Sequence, residues 1–435
     1  MGRVVLRDFR VVDIERDFFG SIIIENGVIQ EIITDATNDS GADVVVDGRG
    51  FGSSAVLMPG FVDLHAHFRE PGFPEKENLE SASLAAAAGG FTTVVCMANT
   101  NPVIDTIEKA KALKTRSDAL GLVDLYPVLS LTKNMEGQEL SGIKDLPAGS
   151  NFQLPLLLSE DGKDVSNDEL FLAAMGEAKR LGIPVSCHCE FGGSEAETAK
   201  TAGRPRVEWS RIEENNATRR AIELGKKAGC HIHIAHVSTK EAIEIIREAK
   251  KNIAGDTGFS LTCEATPHHI GATETDAQRM GDENFGRVNP PLRTEEDRQA
   301  IIAAIGDGTI DAIATDHAPH SEIDKAAGAP GFSGLETAFA VCRSHLPGTE
   351  VPSTNLQRLS ALMSCNPAQI IGLNDRGRIA EGLRADFVIV NIDETKKIDP
   401  ASFKSRGKCS PFAGKALQGT IRMTLNAGRI VFEGV

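Results

Sequence analysis

The stretch Phe61–Arg69, FVDLHAHFR, reads as a β-strand that ends in chemistry. Residues i and i+2 of a strand point the same way, so His65 and His67 share one face. Seven further short β-branched or apolar runs follow it, near Thr92–Ala98, Val123–Leu131, Phe152–Ser159, Pro184–Glu190, His231–Val237, Ser260–Ala265 and Asp311–Asp316. Each leads into an amphipathic helical stretch or a long loop, the pattern of repeated βα units around a parallel sheet. Eight such units predict a TIM (β/α)8 barrel over about residues 58–375, with any active site at the C-terminal ends of the strands. Start signals support the helices. Ser166-x-x-Glu169 and Ser238-x-x-Glu241 fit reciprocal capping boxes, and Asn366-Pro367 fits a cap followed by a first-turn proline.

The two ends of the chain read differently. Val4–Val12, Ser21–Glu25, Val28–Ile33 and Val44–Asp47 alternate and are separated by turn residues such as Asn26-Gly27. Ala385–Asn391, Ala416–Leu425 and Arg429–Phe432 are again strand-like, with Asn426-Ala427-Gly428 as a hairpin connection. Neither end buries a core alone, so residues 1–57 and 376–435 are expected to pair into one small β-sandwich-like domain beside the barrel.

The predicted strand ends gather an unusual set of side chains. His65 and His67 close the first strand, His188 the fifth, His236 the sixth and Asp316 the eighth, so one barrel mouth collects four histidines and an aspartate. Imidazoles and carboxylates together suit a borderline metal such as zinc. Asp161 follows the fourth strand, where its carboxylate is placed to bridge two ions, and its neighbour Glu160 faces the other way. Cys187 and Cys189 flank His188 on the opposite strand face and are expected to pack under helices. His231 and His233 sit early in their strand and read as structural. His268 and His269 rank below the main set, as loop residues or supports.

Composition narrows the function classes. The 435 residues are 41% hydrophobic and 25% charged, ordinary globular proportions. With 46 Lys and Arg against 61 Asp and Glu the net charge is −15, which disfavours nucleic acid and anionic membrane surfaces as partners. The opening residues mix Arg and Asp, and no window reaches the ~18 uninterrupted apolar residues of a membrane span, so a cytoplasmic protein is expected. The eight cysteines are scattered and form no CxxC pair, as in a chain with reduced thiols.

Several motifs, in order along the whole chain, carry a resemblance. FVDLHAHFREPG (61–72), MANTNP (97–102), SEDG (159–162), His188-Cys189-Glu190, IAHVS (234–238), CEATPHH (263–269), NPPLR (289–293), ATDHAPH (314–320) and PGFSGLE (330–336) resemble class I dihydroorotase, a cyclic amidohydrolase of pyrimidine synthesis. The resemblance implies a TIM barrel with a small β domain built from both ends. It assigns His65, His67, Asp161, His188, His236 and Asp316 to a site for one or two zinc ions. Related hydantoinases, allantoinases and other dihydroorotases bridge their metals with a carboxylated lysine on the fourth strand. Phe152–Ser159 (FQLPLLLS) holds no lysine, so the implied bridge is Asp161.

The implied reaction is the reversible cyclisation of N-carbamoyl-L-aspartate to L-dihydroorotate, a step of UMP synthesis. A metal-held hydroxide attacks the ring amide while Asp316 acts as general acid and base. Arg69 has the fork geometry to bind the substrate carboxylate. In the family that task is shared by Arg69, Asn99 and His320, while Asn289, Gly331 and Phe332 contact the ring. One position departs: Ala98 stands where the family has proline, which leaves φ unfixed before Asn99. The loops Ala265–Arg293 and Ala318–Gly334 are rich in Gly and Pro and are expected to cover the mouth. The rival readings are another cyclic amidohydrolase (hydantoinase, dihydropyrimidinase or allantoinase) and a catalytically silent subunit that scaffolds aspartate transcarbamoylase. A homodimer and a transcarbamoylase complex are the assemblies the resemblance allows.

Overall fold

In the computed structural model the described residues are 2–34, 41–148, 154–190, 193–203, 205–253, 258–346 and 352–434. The chain opens with five strands, β1 (Arg3–Val12), β2 (Asp17–Glu25), β3 (Val28–Ile33), β4 (Val44–Asp47) and β5 (Ala55–Pro59). Asn26 and Gly27 both take positive φ, 52° and 80°, the twist that a tight β2–β3 hairpin demands. Eight strands alternate with helices through the middle of the chain: β6 (Phe61–Ala66), β7 (Phe91–Cys96), β8 (Asp124–Pro127), β9 (Leu158–Ser159), β10 (Val185–Cys187), β11 (His231–Ile234), β12 (Ser260–Ala265) and β13 (Ala312–Ile313). The chain closes with β14 (Phe387–Lys397), β15 (Ala416–Asn426) and β16 (Arg429–Glu433).

Strands from the two ends form one eight-stranded sheet, in the order β16-β15-β14-β5-β1-β2-β3 with β4 beside β1. Its centre is β5, a strand with no counterpart in the sequence reading. It runs parallel to β1 (Val11 opposite Leu57) and antiparallel to β14 (Leu57 opposite Ile389), and so joins the ends. An apolar cluster that includes Leu6, Phe9, Ile22, Leu57, Phe387, Ile389 and Leu425 lies against it. Only Gly60 separates β5 from β6, so this sheet feeds directly into the first parallel strand.

The middle strands pair in parallel throughout, as β6-β7-β8 and as β13-β12-β11-β10-β9. Isolated parallel bridges lie between Leu129 and Leu158 and between Ala66 and His317. The helices pack outside these strands on the largest apolar core, where the Phe61 ring meets those of Phe91 and Phe339, each at 5.6 Å between centroids. The helix Lys240–Lys251 shows the logic: Ala242, Ile243, Ile246 and Ala249 recur at helical spacing and are buried, while its lysines and most of its acids face out.

Three helix starts differ from the sequence reading. Asn167, not Ser166, caps the helix Asp168–Leu181, because its Oδ1 accepts from both Glu169 N and Leu170 N. Ser238 is unavailable as a cap because its hydroxyl and backbone N–H both donate to Glu214. Thr239 Oγ1 takes the position and accepts from Ala242 N at 3.1 Å. Asn366 is not a cap but the first residue of the helix Asn366–Ile370, with Pro367 in its first turn. It has helical dihedrals and continues a π turn, Ala361–Cys365, while its Nδ2 donates to Asp311 O. Residues 152–153 of the predicted fourth strand lie outside the described residues. Among the described residues no helix is long and apolar enough to cross a membrane.

Candidate active site at the strand ends

Asp161 is the hub of the site. It follows β9 directly, and its buried carboxylate meets histidines from three other strands. His65 Nε2 lies 3.1 Å from Oδ1, His67 Nε2 3.4 Å from Oδ2, His188 Nδ1 3.4 Å from Oδ1 and His236 Nε2 3.9 Å from Oδ1. Ligand atoms of His65, His67 and Asp161 form one group within 4.8 Å, and those of Asp161, His188 and His236 form a second. One carboxylate belongs to both. Glu160 points away, with Oε2 accepting from Leu131 N and Thr132 N at 2.9 and 3.0 Å. Asp316 closes the site from beyond β13, 3.2 Å from His67 Nε2 and 3.7 Å from His65 Nε2.

The backbone holds these groups at a cost. His236, Asp316 and Arg69 all take positive φ, at 32°, 43° and 59°. That region is sterically expensive for residues with a Cβ, and such residues cluster where surrounding structure imposes a function.

Electrostatics suit cations. Burial opposes charge on Asp161, yet the fields of His65 and His67 and the close approach of His188 hold its carboxyl well below the usual range. Asp316 is likewise held low against burial, through the His67 hydrogen bond and the fields of His65, His67 and His236. Hydrogen bonds to Asp161 and Glu190 overcome burial and raise His188 to about 10, while burial and the neighbouring His188 and His65 push His236 down to about 3. Imidazoles of opposite tendency around shared carboxylates are what a cation site becomes when protons supply the positive charge. The donor set fits divalent metal ions, and His65 Nε2, buried without a hydrogen-bond partner, is an orphan that such an ion would satisfy.

A second group of residues adjoins the first. Asn99 Oδ1 meets His67 Nδ1 at 3.0 Å and Asn99 Nδ2 donates to Asp161 Oδ2 at 3.2 Å. Arg69 Nε donates to Pro319 O, and an Arg69 terminal nitrogen lies 3.2 Å from His320 Nε2. Among the described residues Arg69 has no ion pair; Glu70, its nearest candidate in sequence, pairs with Arg116 instead. Half-buried and with no carboxylate partner among the described residues, this guanidinium lies within the field of Asp316 and Asp161. Asn289 Nδ2 lies 3.3 Å from His188 Nε2. Gly331 has φ 146°, and a Cβ there would meet Ala318 O at 2.3 Å; this lets Phe332 O accept from Ala318 N at 2.9 Å.

The amidohydrolase family model matches residues 56–431. The dihydroorotase of Clostridium botulinum (strain Eklund 17B / Type B) is 39% identical over 430 residues, covering 99% of both chains. The chain belongs to the amidohydrolase family. The dihydroorotase of Bacillus caldolyticus is 38% identical over 95% of this chain and 94% of its own. Among solved amidohydrolase-like structures, the L-hydantoinase (dihydropyrimidinase) from Arthrobacter aurescens superposes with a TM-score of 0.85 at 26% identity, covering 100% of this chain and 96% of that one. Dihydropyrimidinase from Brevibacillus agri NCHU1002 gives 0.82 at 21% identity, covering 99% and 95%, and shares the fold.

The sequence reading of this amidohydrolase missed several residues at the site. Glu190 Oε2 lies 2.9 Å from His188 Nε2. Asp63 accepts from Thr315 N at 2.9 Å and from Thr315 Oγ1 at 2.5 Å, tying β6 to the segment that carries Asp316. Glu264 contacts His65, and the signal for it was in the sequence: Thr262 and Glu264 alternate on one strand as His231 and His233 do on its neighbour. His269 is absorbed locally by Thr266 and Pro290, whereas His268 lies 5.6 Å edge-on to the Phe332 ring.

Proposed function

We propose that the chain is a dihydroorotase, catalysing the reversible cyclisation of N-carbamoyl-L-aspartate to L-dihydroorotate in pyrimidine synthesis. The observation that carries this reading is Arg69. A cationic fork without an anion, beside two histidine–aspartate groups, calls for a substrate that brings its own carboxylate. A hydantoin need not carry one. The relatives named dihydroorotase, near 38% identical over almost the whole chain, support the same reading.

In this reading β6–β13 form a TIM barrel over 58–375, with residues 1–57 and 376–435 as the composite β domain, and the two isolated bridges support closure of the ring. His65, His67 and Asp161 would hold one zinc ion, and Asp161, His188 and His236 a second. Bound there, zinc supplies a water of lowered pKa and polarises the amide carbonyl. Asp316, held ionised, takes the proton from the attacking water and returns it to the departing ring nitrogen; in cyclisation it runs the two transfers in reverse. Arg69, Asn99 and His320 orient the carboxylate, while Asn289 and the Gly331–Phe332 backbone border the ring. The enzyme works in the cytoplasm, as a homodimer or with aspartate transcarbamoylase.

The test is metal analysis with activity assays in both directions on the purified chain. Hydrolysis of dihydroorotate by the metal-loaded protein, lost in Asp316→Ala, is expected. Hydrolysis of a hydantoin with none of dihydroorotate would replace this reading with the rival amidohydrolase one. Inactivity that persists with a transcarbamoylase present would leave a silent subunit.

A further inference from the structure

Behind the metal groups, a chain of polar side chains runs from the half-buried His231 and Thr262 to the fully buried Glu264. His231 Nε2 lies 2.8 Å from Thr262 Oγ1, which lies 2.8 Å from His233 Nδ1. His233 Nε2 lies 2.9 Å from Glu264 Oε2, and Glu264 Oε1 lies 3.1 Å from His65 Nδ1. Strand geometry makes this contact: β11 and β12 are parallel neighbours with His233 opposite Thr262, and the i, i+2 period puts His231 with His233 and Thr262 with Glu264. His233 and Glu264 are fully buried, and His65 is 1% exposed.

Hydrogen-bond logic fixes the protons that face Glu264. A carboxylate only accepts, so Glu264 receives His65 Nδ1–H on one oxygen and His233 Nε2–H on the other. The Thr262 hydroxyl, which can donate once and accept, joins His233 Nδ1 to His231 Nε2 at 2.8 Å on each side. One nitrogen is left over. His65 Nε2 points away from Glu264 and faces Asp161 Oδ1 at 3.1 Å, the position from which its lone pair would meet a cation. Either a proton or a metal ion satisfies both atoms at that distance, and a metal ion needs the lone pair on Nε2 and therefore the proton on Nδ1.

We propose that Glu264 is a positioning residue that fixes the tautomer of His65 for cation binding, and that His233, Thr262 and His231 hold Glu264 for that task. His231 and His233 are then not mere packing of the strand interior. Without the chain, His65 is free to carry its proton on Nε2 or to rotate, and the group it shares with His67 and Asp161 loses a donor. His188 and His236 have other partners, so the second group is affected less. The inference rests on the metal reading of the site and adds to it a residue that touches neither substrate nor ion.

The experiment strips the full chain with chelator and titrates it with zinc and with cobalt(II), in competition with a chromophoric chelator. Cation equivalents, affinity, the cobalt absorption spectrum and the melting temperature are read. Wild-type chain is expected to take two equivalents. Glu264→Gln keeps the shape but turns an N–H toward one imidazole, and is expected to weaken one site about 10–100-fold and change the cobalt spectrum. Thr262→Val, three hydrogen bonds away from His65, should weaken the same site by about 3-fold or more, and Thr262→Ser should restore it. If Glu264→Gln does not fold, the Thr262 pair decides. Folded variants that bind both equivalents with wild-type affinity and spectrum overturn the proposal while leaving the metal reading intact. A wild-type chain that binds no cation overturns both.

Discussion

Two arginines mark the difference between a group used for folding and one kept for a ligand. Arg293 is 5% exposed, and each of its nitrogens has a partner within the chain: Ser238 Oγ at 3.0 Å, Val207 O and Ser210 Oγ at 2.9 Å, and Glu214 Oε2 at 3.0 Å. Glu214 in turn accepts from Ser238 N and Thr239 N. Arg69 has one carbonyl and one imidazole nitrogen, and no carboxylate among the described residues. Both guanidiniums lose solvation on folding, but only that of Arg293 recovers it from the protein. The closed network belongs to stability and the open one to binding.

The largest expected effect tests the closed network. Arg293→Met leaves Glu214 charged and unpaired in the interior, so a loss of about 3–5 kcal/mol in unfolding free energy is expected by denaturant titration. The double variant with Glu214→Gln should recover part of it. Arg69→Ala should instead cost about 2–4 kcal/mol in kcat/KM for dihydroorotate, some 30-fold to 1,000-fold, with stability moved by no more than about 0.5 kcal/mol. Arg69→Lys keeps the charge and loses the fork, and belongs between the two. The comparison breaks if Arg69→Ala unfolds the chain as Arg293→Met does, or if Arg293→Met stays fully stable.

Glu336 sharpens the same contrast with a carboxylate. It accepts from Lys404 N and Ser405 N and forms no ion pair among the described residues, and burial pushes it up to about 7 against those hydrogen bonds and the field of Lys408. A raised carboxyl pKa means the folded chain binds more protons than the unfolded one between about 4.3 and the folded value, so stability falls as pH rises through that window. The expected loss is on the order of 2 kcal/mol, flat above and below. Glu336→Gln should remove it. A wild-type minus variant difference that does not change between pH 4.5 and 8 would show the group carries no such linkage.

Open and closed networks were not equally legible in the sequence. The strand period placed His65 and His67 together, and strand-end positions gathered Asp161, His188, His236 and Asp316, because local geometry and the parallel architecture decide where those side chains point. Asp161 against Glu160 was a question of strand face, and the answer was readable. Glu264 was not singled out: its alternation with Thr262 was readable, but its partners are 199 residues away on one side and 31 on the other, and only three-dimensional pairing says which residues it meets. The same holds for Arg293 and Glu214. β5 escaped because a five-residue strand beside a proline and a glycine has too little period to stand out, and its partners come from both ends of the chain. Capping erred by one residue where a tertiary partner outbid the local one, as Glu214 did for Ser238.

The smallest expected effect lies at a cap that is closed and exposed. Asn167 Oδ1 satisfies two otherwise unpaired N–H groups of the helix Asp168–Leu181, from Glu169 at 2.9 Å and Leu170 at 3.1 Å. These groups reach solvent once the amide is gone, so water recovers most of the lost hydrogen bonding, and Asn167→Ala should cost only about 1 kcal/mol. Ser166→Ala, at the position the capping pattern favoured, should cost a few tenths at most. Neither should change kcat/KM, because a network closed within the protein has nothing to offer a ligand. A stability loss at Ser166 that equals or exceeds the one at Asn167 would return the cap to the residue the sequence pattern chose. A change in kcat/KM from Asn167→Ala without a matching loss of stability would show that closure of a network does not separate folding from function.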